Sequence, residues 1–321
     1  MQQLPTANRL APNQSGWGFF LCTEKSIRAG RGGDFIALTL QDATGDIVGR
    51  VLDNVDRFRD EFDAGEFVKV QGRAQSFNGR LQFVIENIRR AMLGADSQDR
   101  REGFSEDDLL PSAPRPLDEM WAELQQVVAG LGNSHVRALA ESLVRANEAR
   151  LRIWPAARTV HHAYRGGFLE HVLKMAEAGR ALAGLYGADA DLVVIGALVH
   201  DIGKLQELDY QAATTYTRAG NLVGHVTLGA LVIDEACRSL PGFPDALRTE
   251  LLHLVLSHHG AKEFGAPVEP MTVEAVILAA VDELDAELNQ IRRALDEPGG
   301  DGEFTSFQSR LGRSFWKGPS K

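Results

Sequence analysis

Apolar and polar positions change their period once along this chain. In the first 90 or so residues the period is two. Across Asp34–Asp42, Ile36, Leu38 and Leu40 alternate with Phe35, Ala37 and Thr39, which predicts a strand buried on one face. Asp42-Ala-Thr-Gly45-Asp46 predicts a turn, Ile47–Leu52 a second strand and Phe67–Gly72 a third. Phe77-Asn78-Gly79-Arg80 carries the Asn-Gly dipeptide of a tight hairpin, and Leu81, Phe83 and Ile85 follow on alternate positions. Five or so short strands in about 80 residues suit a small barrel.

From residue 117 the period is helical. Leu117–Ala129, His135–Arg150, Gly167–Leu185, Asp189–Val199, Val226–Arg238, Leu247–Leu256 and Thr272–Leu295 all place apolar residues three and four apart. Between the two regimes, Ser97–Pro116 is rich in Asp, Glu and Arg and then gives Pro111, Pro114 and Pro116, which predicts a semi-extended linker that buries little. The expected organisation is multidomain: an all-β barrel over 1–95, a linker over 96–116, an all-α bundle over 117–300 and a tail over 301–321. The barrel pattern, over roughly Gly16–Arg90, resembles an OB-fold. The tail sets Phe304, Phe307, Phe315 and Trp316 among Arg310, Arg313 and Lys317.

Composition adds two constraints. The 321 residues are 44% apolar and 24% charged, an ordinary globular balance with room for two domains. The net charge of −10 argues against a protein that simply coats nucleic acid. It is unevenly spread, however: up to Ala95 there are 12 Lys+Arg against 11 Asp+Glu, and beyond it 22 against 33. Cys22 and Cys237 are the only cysteines, so there is no disulfide framework and no Cys-rich zinc site, as suits a reducing compartment. Met-Gln-Gln-Leu-Pro lacks the features of a signal peptide, and the apolar runs Leu192–Val199 and Ala275–Val281 are too short to span a bilayer. A soluble cytoplasmic protein with no membrane partner is expected.

The candidate chemistry is in the helical part, where eight of nine histidines lie beyond residue 160. His171 starts one helix. His200-Asp201-Ile-Gly-Lys204 closes another. His225 follows Gly224, His258-His259-Gly260 ends a further helix, and Asp282 sits among Ile277, Leu278, Val281 and Leu284. Imidazole and carboxylate together suit Mn, Fe, Co and Zn and, less well, Mg. A carboxylate on an apolar helix face must be paired, protonated or bound to metal. Any one of these histidines alone would more often be structural, and His135 is read so. The ordered set carries the metal reading.

That set resembles the HD superfamily of metal-dependent phosphohydrolases. The resemblance implies one metal held by His171, His200, Asp201 and Asp282. A second would share Asp201 and take His225 with His258 or His259, of which His258 is favoured. Two cations, Mn2+ first with Co2+, Fe2+ or Mg2+ as alternatives, would stabilise phosphodiester charge and yield hydroxide near neutral pH. Lys204 would reach a phosphate oxygen, or else pair with Glu207. The cyclic-dinucleotide branch does not fit, because no Gly-Tyr-Pro follows His259 and Gly167 leaves no carboxylate for a third metal.

Over nearly its whole length the chain resembles the YhaM family of 3′→5′ exoribonucleases, which joins an OB-fold to an HD domain. The segments that carry this are His161-His162-Ala-Tyr164-Arg165-Gly166-Gly167-Phe-Leu-Glu-His171, His200-Asp-Ile-Gly-Lys204, Gly224-His225, Ser257-His-His-Gly260 and Asp282-Glu-Leu-Asp285-Ala286. One departure is Ala279, where a histidine commonly precedes the last motif. The resemblance implies hydrolysis of single-stranded RNA, and of single-stranded DNA as an alternative, to nucleoside 5′-monophosphates. His161 and His162 would contact the phosphate or terminal nucleotide, or else form a polar loop that holds the next helix. Arg165 would hold a phosphate, and Asp285 would support a ligand histidine from behind. On the barrel, Phe35, Arg50 and Arg80 lead the candidates for holding the strand, with Trp17, Phe19, Phe77, Arg28, Arg31 and Arg73 behind them. A homo-oligomer is compatible with this. A nucleotide or cyclic-nucleotide phosphohydrolase and a non-catalytic nucleic-acid binder are the competing classes.

Overall fold

The computed structural model describes residues 2–30, 33–77, 79–157, 162, 164–210, 214–296 and 302–319. The chain divides into two compact units: Met1–Ser112 with Tyr210–Thr214, and Ala113–Asp209 with Thr215–Lys321.

In the first unit β1 (Ser15–Gly30), β2 (Gly33–Asp42), β3 (Gly45–Val51), β4 (Phe67–Phe77) and β5 (Arg80–Arg90) close into a barrel in the order β1-β2-β3-β5-β4. All neighbours are antiparallel except β3 and β5, which pair in parallel. A single-turn helix, α1 (Val55–Phe58), fills the step between β3 and β4. The alternating residues meet inside: Ile36, Leu38, Leu40, Val51, Val68, Val70, Phe83 and Ile85 are buried together with Phe58 and Phe62. This is the five-stranded OB barrel expected from the period-two pattern.

The acidic stretch after the barrel is not the semi-extended linker that its composition predicts. Ser97 caps a short helix, α2 (Gln98–Arg101), and the segment up to Leu110 lies on the outer face of β1 and β4. Phe104, Leu109 and Leu110 are buried against Phe19, Leu21 and Phe67, with the Phe104 ring edge-on to Phe19 and Phe67. Asp99 anchors it. Its fully buried carboxylate accepts two hydrogen bonds from Arg89 at 2.7 Å and one from the Met92 N–H at 2.8 Å, with Lys69 at 3.5 Å. The hydrogen bonds from Arg89 lower its pKa from 3.8 to about 2. Charge here is spent on a buried ion pair, which composition cannot distinguish from solvated surface. Replacing Asp99 by Ala leaves Arg89 beside apolar surface without its counter-charge, while Lys69 keeps its pairing with Glu102. It is expected to destabilise the barrel by about 3 kcal/mol in denaturant unfolding at pH 7. The Asp99 contribution is present above pH 3.8 and fades as pH falls through about 2, so at the acid end of that window wild type and variant should converge.

The second unit is helical: α3 (Leu117–Ala129), α4 (Ser134–Leu151), α5 (Gly167–Tyr186), α6 (Ala190–Val199), α7 (Lys204–Glu207), α8 (Arg218–Val223), α9 (His225–Ser239), α10 (Asp245–Ser257) and α11 (Val273–Asp296). Two short strands, β6 (Leu208–Tyr210) and β7 (Thr214–Tyr216), pair between α7 and α8. Helix α6 is apolar all round, and every residue from Val193 to Val199 is buried. Helices α4, α5, α10 and α11 pack around it. The functional side chains come from the ends of the helices around this core and, for Asp282 and Asp285, from within α11. After Asp296, Phe304 bridges to Trp316, and Arg313 pairs with Glu287 of α11. None of the described helices is long and apolar enough to cross a membrane.

Candidate metal centre

Helix ends leave carbonyl groups without partners in the helix, and two histidines use this. His200 ends α6 and donates from Nδ1 to the Ala197 carbonyl at 3.0 Å. His258 ends α10 and donates from Nδ1 to the Val255 carbonyl at 2.7 Å. The other three rings are held in the same sense. His259 Nδ1 donates to the Phe264 carbonyl at 2.9 Å. His225, first in α9, donates from Nδ1 to Glu207 Oε1 at 3.1 Å, and its backbone N–H reaches the same oxygen at 3.0 Å. His171, near the start of α5, donates from Nδ1 to Asp285 Oδ2 at 2.7 Å. Every ring has its Nδ1 side occupied, which leaves Nε2 as the coordinating side.

The Nε2 atoms gather around two carboxylates. His171 Nε2 is 3.3 Å and His200 Nε2 3.9 Å from Asp282 Oδ1, and a ligand atom of each of the three lies within 4.8 Å of the others. His225, His258 and His259 form a second such group, with His225 Nε2 and His259 Nε2 3.3 Å apart. Asp201 stands between them. Its Oδ2 is 3.2 Å from His200 Nε2, and its Oδ1 is 3.3 Å from His225 Nε2 and 3.6 Å from His258 Nε2. Gly203 permits this turn, because a Cβ there would lie 2.0 Å from the His225 carbonyl oxygen.

Burial raises the Asp201 pKa, but Lys204 and His200 outweigh it and hold the carboxyl well below its usual range. Asp282 is likewise low against its burial, through His171 and His200. Burial lowers the pKa of His171, yet Asp282 and Asp285 raise it to about 9; His258 is raised by Asp201 in the same way. Burial and His258 push His259 down to about 4. Carboxylates here retain protons on imidazoles that a cation would displace. Buried His200 Nε2, His258 Nε2 and Asp201 Oδ1 make no hydrogen bond. Such orphans cost about 1–3 kcal/mol each. Three of them converge, one carboxylate oxygen and two imidazole nitrogens, so these residues fit divalent cations.

Other expected site residues fall elsewhere. Lys204 does not pair with Glu207 or reach outward: it is buried, with Nζ 2.6 Å from Asp201 Oδ2. Glu207, which the sequence suggested only as that partner, instead holds His225. His162 is not at an entrance. It is fully buried behind His171, with Nε2 2.9 Å from Asp285 Oδ2. Asp285 does stand behind a histidine of the centre, His171. Arg165 is half-buried, and its carbonyl accepts from the Ala113 N–H. His161 and Arg31 lie outside the described residues, as does the side chain of Arg80. On the barrel, Phe19 is buried under the 97–110 segment and Trp17 packs edge-on to it, below the Lys69 ammonium. The Arg50 guanidinium lies 5.3 Å from the Phe35 ring and 5.9 Å from the Phe77 ring.

These features define an OB barrel joined to an HD-type helical domain. An HD domain model matches residues 168–287, and a model described as an OB-fold nucleic acid binding domain matches residues 23–91. The chain is 35% identical over 291 residues to a 3′-5′ exoribonuclease YhaM of Bacillus subtilis, which covers 90% of each chain. It is 36% identical over 292 residues, with the same coverage, to that of Bacillus velezensis. The second OB-fold domain of replication protein A from Methanococcus maripaludis, 22% identical, covers 30% of this chain and 100% of that domain with a TM-score of 0.25. The chain belongs to the YhaM 3′-5′ exoribonuclease family.

Proposed function

We propose that this protein is a metal-dependent 3′→5′ exoribonuclease that hydrolyses single-stranded RNA to nucleoside 5′-monophosphates at a centre for two divalent cations, Mn2+ first among them. The observation that carries this is Asp201, whose two oxygens face two separate histidine groups in a chain that also carries an OB barrel. His171, His200 and Asp282 would hold one cation, and His225, His258 and His259 the other, with Asp201 shared. Bound divalent cations supply Lewis-acid stabilisation of phosphoryl charge and lower the pKa of water. The chain's own residues do the rest. Glu207, Asp285 and three backbone carbonyls fix the ring orientations, and Lys204 fixes the rotamer of Asp201. Phe35, Arg50 and Phe77 offer a cation between two rings on the barrel surface, suited to stacked bases and phosphates.

The test is a digest of 5′-labelled single-stranded RNA. With Mn2+ the label is expected to move stepwise to shorter fragments, with nucleoside 5′-monophosphates as the released product. Parallel reactions with Co2+, Mg2+, Zn2+ and Fe2+, and with single-stranded DNA, rank the metals and the substrates. RNA left intact with all five ions overturns the reading.

A further inference from the structure

Behind the metal centre lies a buried polar network that metal ligation does not itself require. Asp285 Oδ2 accepts from two rings at once, His171 Nδ1 at 2.7 Å and His162 Nε2 at 2.9 Å. His162 has a left-handed backbone, φ +46°, which is strained for a residue with a Cβ. The surroundings enforce it. Its N–H donates to Asn289 Oδ1 at 3.1 Å, and its carbonyl accepts from the Ala156 N–H at 3.1 Å. Its Nδ1 is 2.8 Å from the Tyr164 hydroxyl and 3.3 Å from Glu170 Oε2, while Tyr164 and Lys174 both donate to Glu170. A Cβ on Gly167 would lie 2.0 Å from the His162 carbonyl oxygen, so glycine is needed there for the loop to close. Asp282, Asp285 and Asn289 follow at i, i+3 and i+7 along one face of α11. That face thus offers a metal-type carboxylate, the carboxylate that orients His171, and the clamp on His162.

We propose that His162 is a positioning residue for the metal centre, holding the Asp285 carboxylate that in turn fixes the His171 ring. Its complete burial removes it from contact with RNA, and its role is exerted through Asp285. Partners of this kind behind a ligand histidine typically contribute 10- to 100-fold in metal affinity. The inference rests on the metal reading above.

The experiment is Mn2+ titration of the metal-stripped full chain by isothermal calorimetry. His162→Asn tolerates the left-handed backbone but is too short to reach Asp285. It is expected to weaken Mn2+ binding by about 10- to 100-fold. His162→Gln, whose amide can occupy the position of Nε2, is expected to recover most of that loss. Asp285→Asn is expected to weaken binding to a similar degree, and His162→Asn added to it should cost nothing further. A generally loosened fold would not give that pattern of rescue and non-additivity. Should His162→Asn fail to fold, Asn289→Ala releases the His162 backbone and the Asn289 contact with Nδ1, and keeps Nε2 for Asp285. It is expected to weaken Mn2+ by a smaller factor, again with no further effect in the Asp285→Asn background. Wild-type affinity in the variant tested, or effects that multiply with Asp285→Asn, overturns the proposal while the metal centre stands. Wild-type protein that binds no Mn2+ overturns both.

Discussion

Asp201→Asn is expected to lower RNA turnover by about 10³-fold at saturating Mn2+ while leaving the KM for RNA within a few-fold of wild type. A metal centre supplies several kcal/mol of charge stabilisation in the transition state, and each 1.4 kcal/mol is a factor of ten in rate. Among the described residues, Asp201 is the carboxylate that faces both histidine groups, through Oδ1 to His225 and His258 and through Oδ2 to His200. An amide keeps the shape but removes the charge, and turns an NH2 toward either a ligand nitrogen or the Lys204 ammonium. Asparagine is the informative replacement. Alanine would also leave Lys204 in a buried space without any polar partner, a change expected to cost about 3 kcal/mol of stability and to mix unfolding with loss of chemistry. The KM expectation follows from placing strand contacts on the barrel. Single-turnover digestion of labelled RNA, with circular dichroism to confirm the fold, measures both effects. Turnover within tenfold of wild type would remove Asp201 from the reaction.

The parts legible in the sequence share one property: their signal is local. Helix α3 occupies the residues its periodicity predicts, and the ends of the other long helices lie within two residues of expectation. Strands β2 and β3 alternate because one face is core and the other is not. In β1 the pattern fails for a physical reason. Phe20 and Cys22 face the barrel core, while Phe19 and Leu21 are buried by the 97–110 segment, so Trp17–Cys22 reads as one apolar run. The metal-type residues were legible as an ordered set because all but Asp282, which lies within α11, stand at or near a helix end. What fixes their rings was less so. The acceptors for His200 and His258 are backbone carbonyls, which no motif encodes. His162 meets Asp285 across 123 residues of sequence and Asn289 across 127. Glu207 could have been found: it is the carboxylate within one turn of the His-Asp motif that the Lys204–Asp201 pair leaves uncommitted.

Chelation is expected to abolish turnover, and the pH dependence of recovery should identify His171. In the metal-free protein His171 Nδ1 is committed to Asp285, and Nε2 faces Asp282, so burial is outweighed and the ring keeps its second proton up to about pH 9. A cation at Nε2 must displace that proton. Between about pH 6.5 and 9, Mn2+ binding should therefore strengthen by roughly tenfold per pH unit for the proton released from His171, and His258, whose pKa Asp201 also raises, adds to the slope while it stays protonated. The stability of the metal-free chain should move in the opposite direction. The folded pKa of His171 lies above its unfolded value of 6.5, so its contribution is fully present below pH 6.5 and is lost as pH rises through about 9. That shift corresponds to about 3 kcal/mol at most. His259, held near 4, is already neutral in this window and adds nothing to the slope. Thermal unfolding at pH 6, 7.5 and 9, with chelator and with Mn2+, should show a gap between the two forms that widens with pH. Calorimetry in two buffers of different ionisation enthalpy should register close to one proton released by this group near pH 7.5. A gap independent of pH, with no proton release, would mean that no cation displaces the proton of His171, and would leave its ring to the hydrogen bond it makes with Asp285 and its 3.3 Å approach to Asp282.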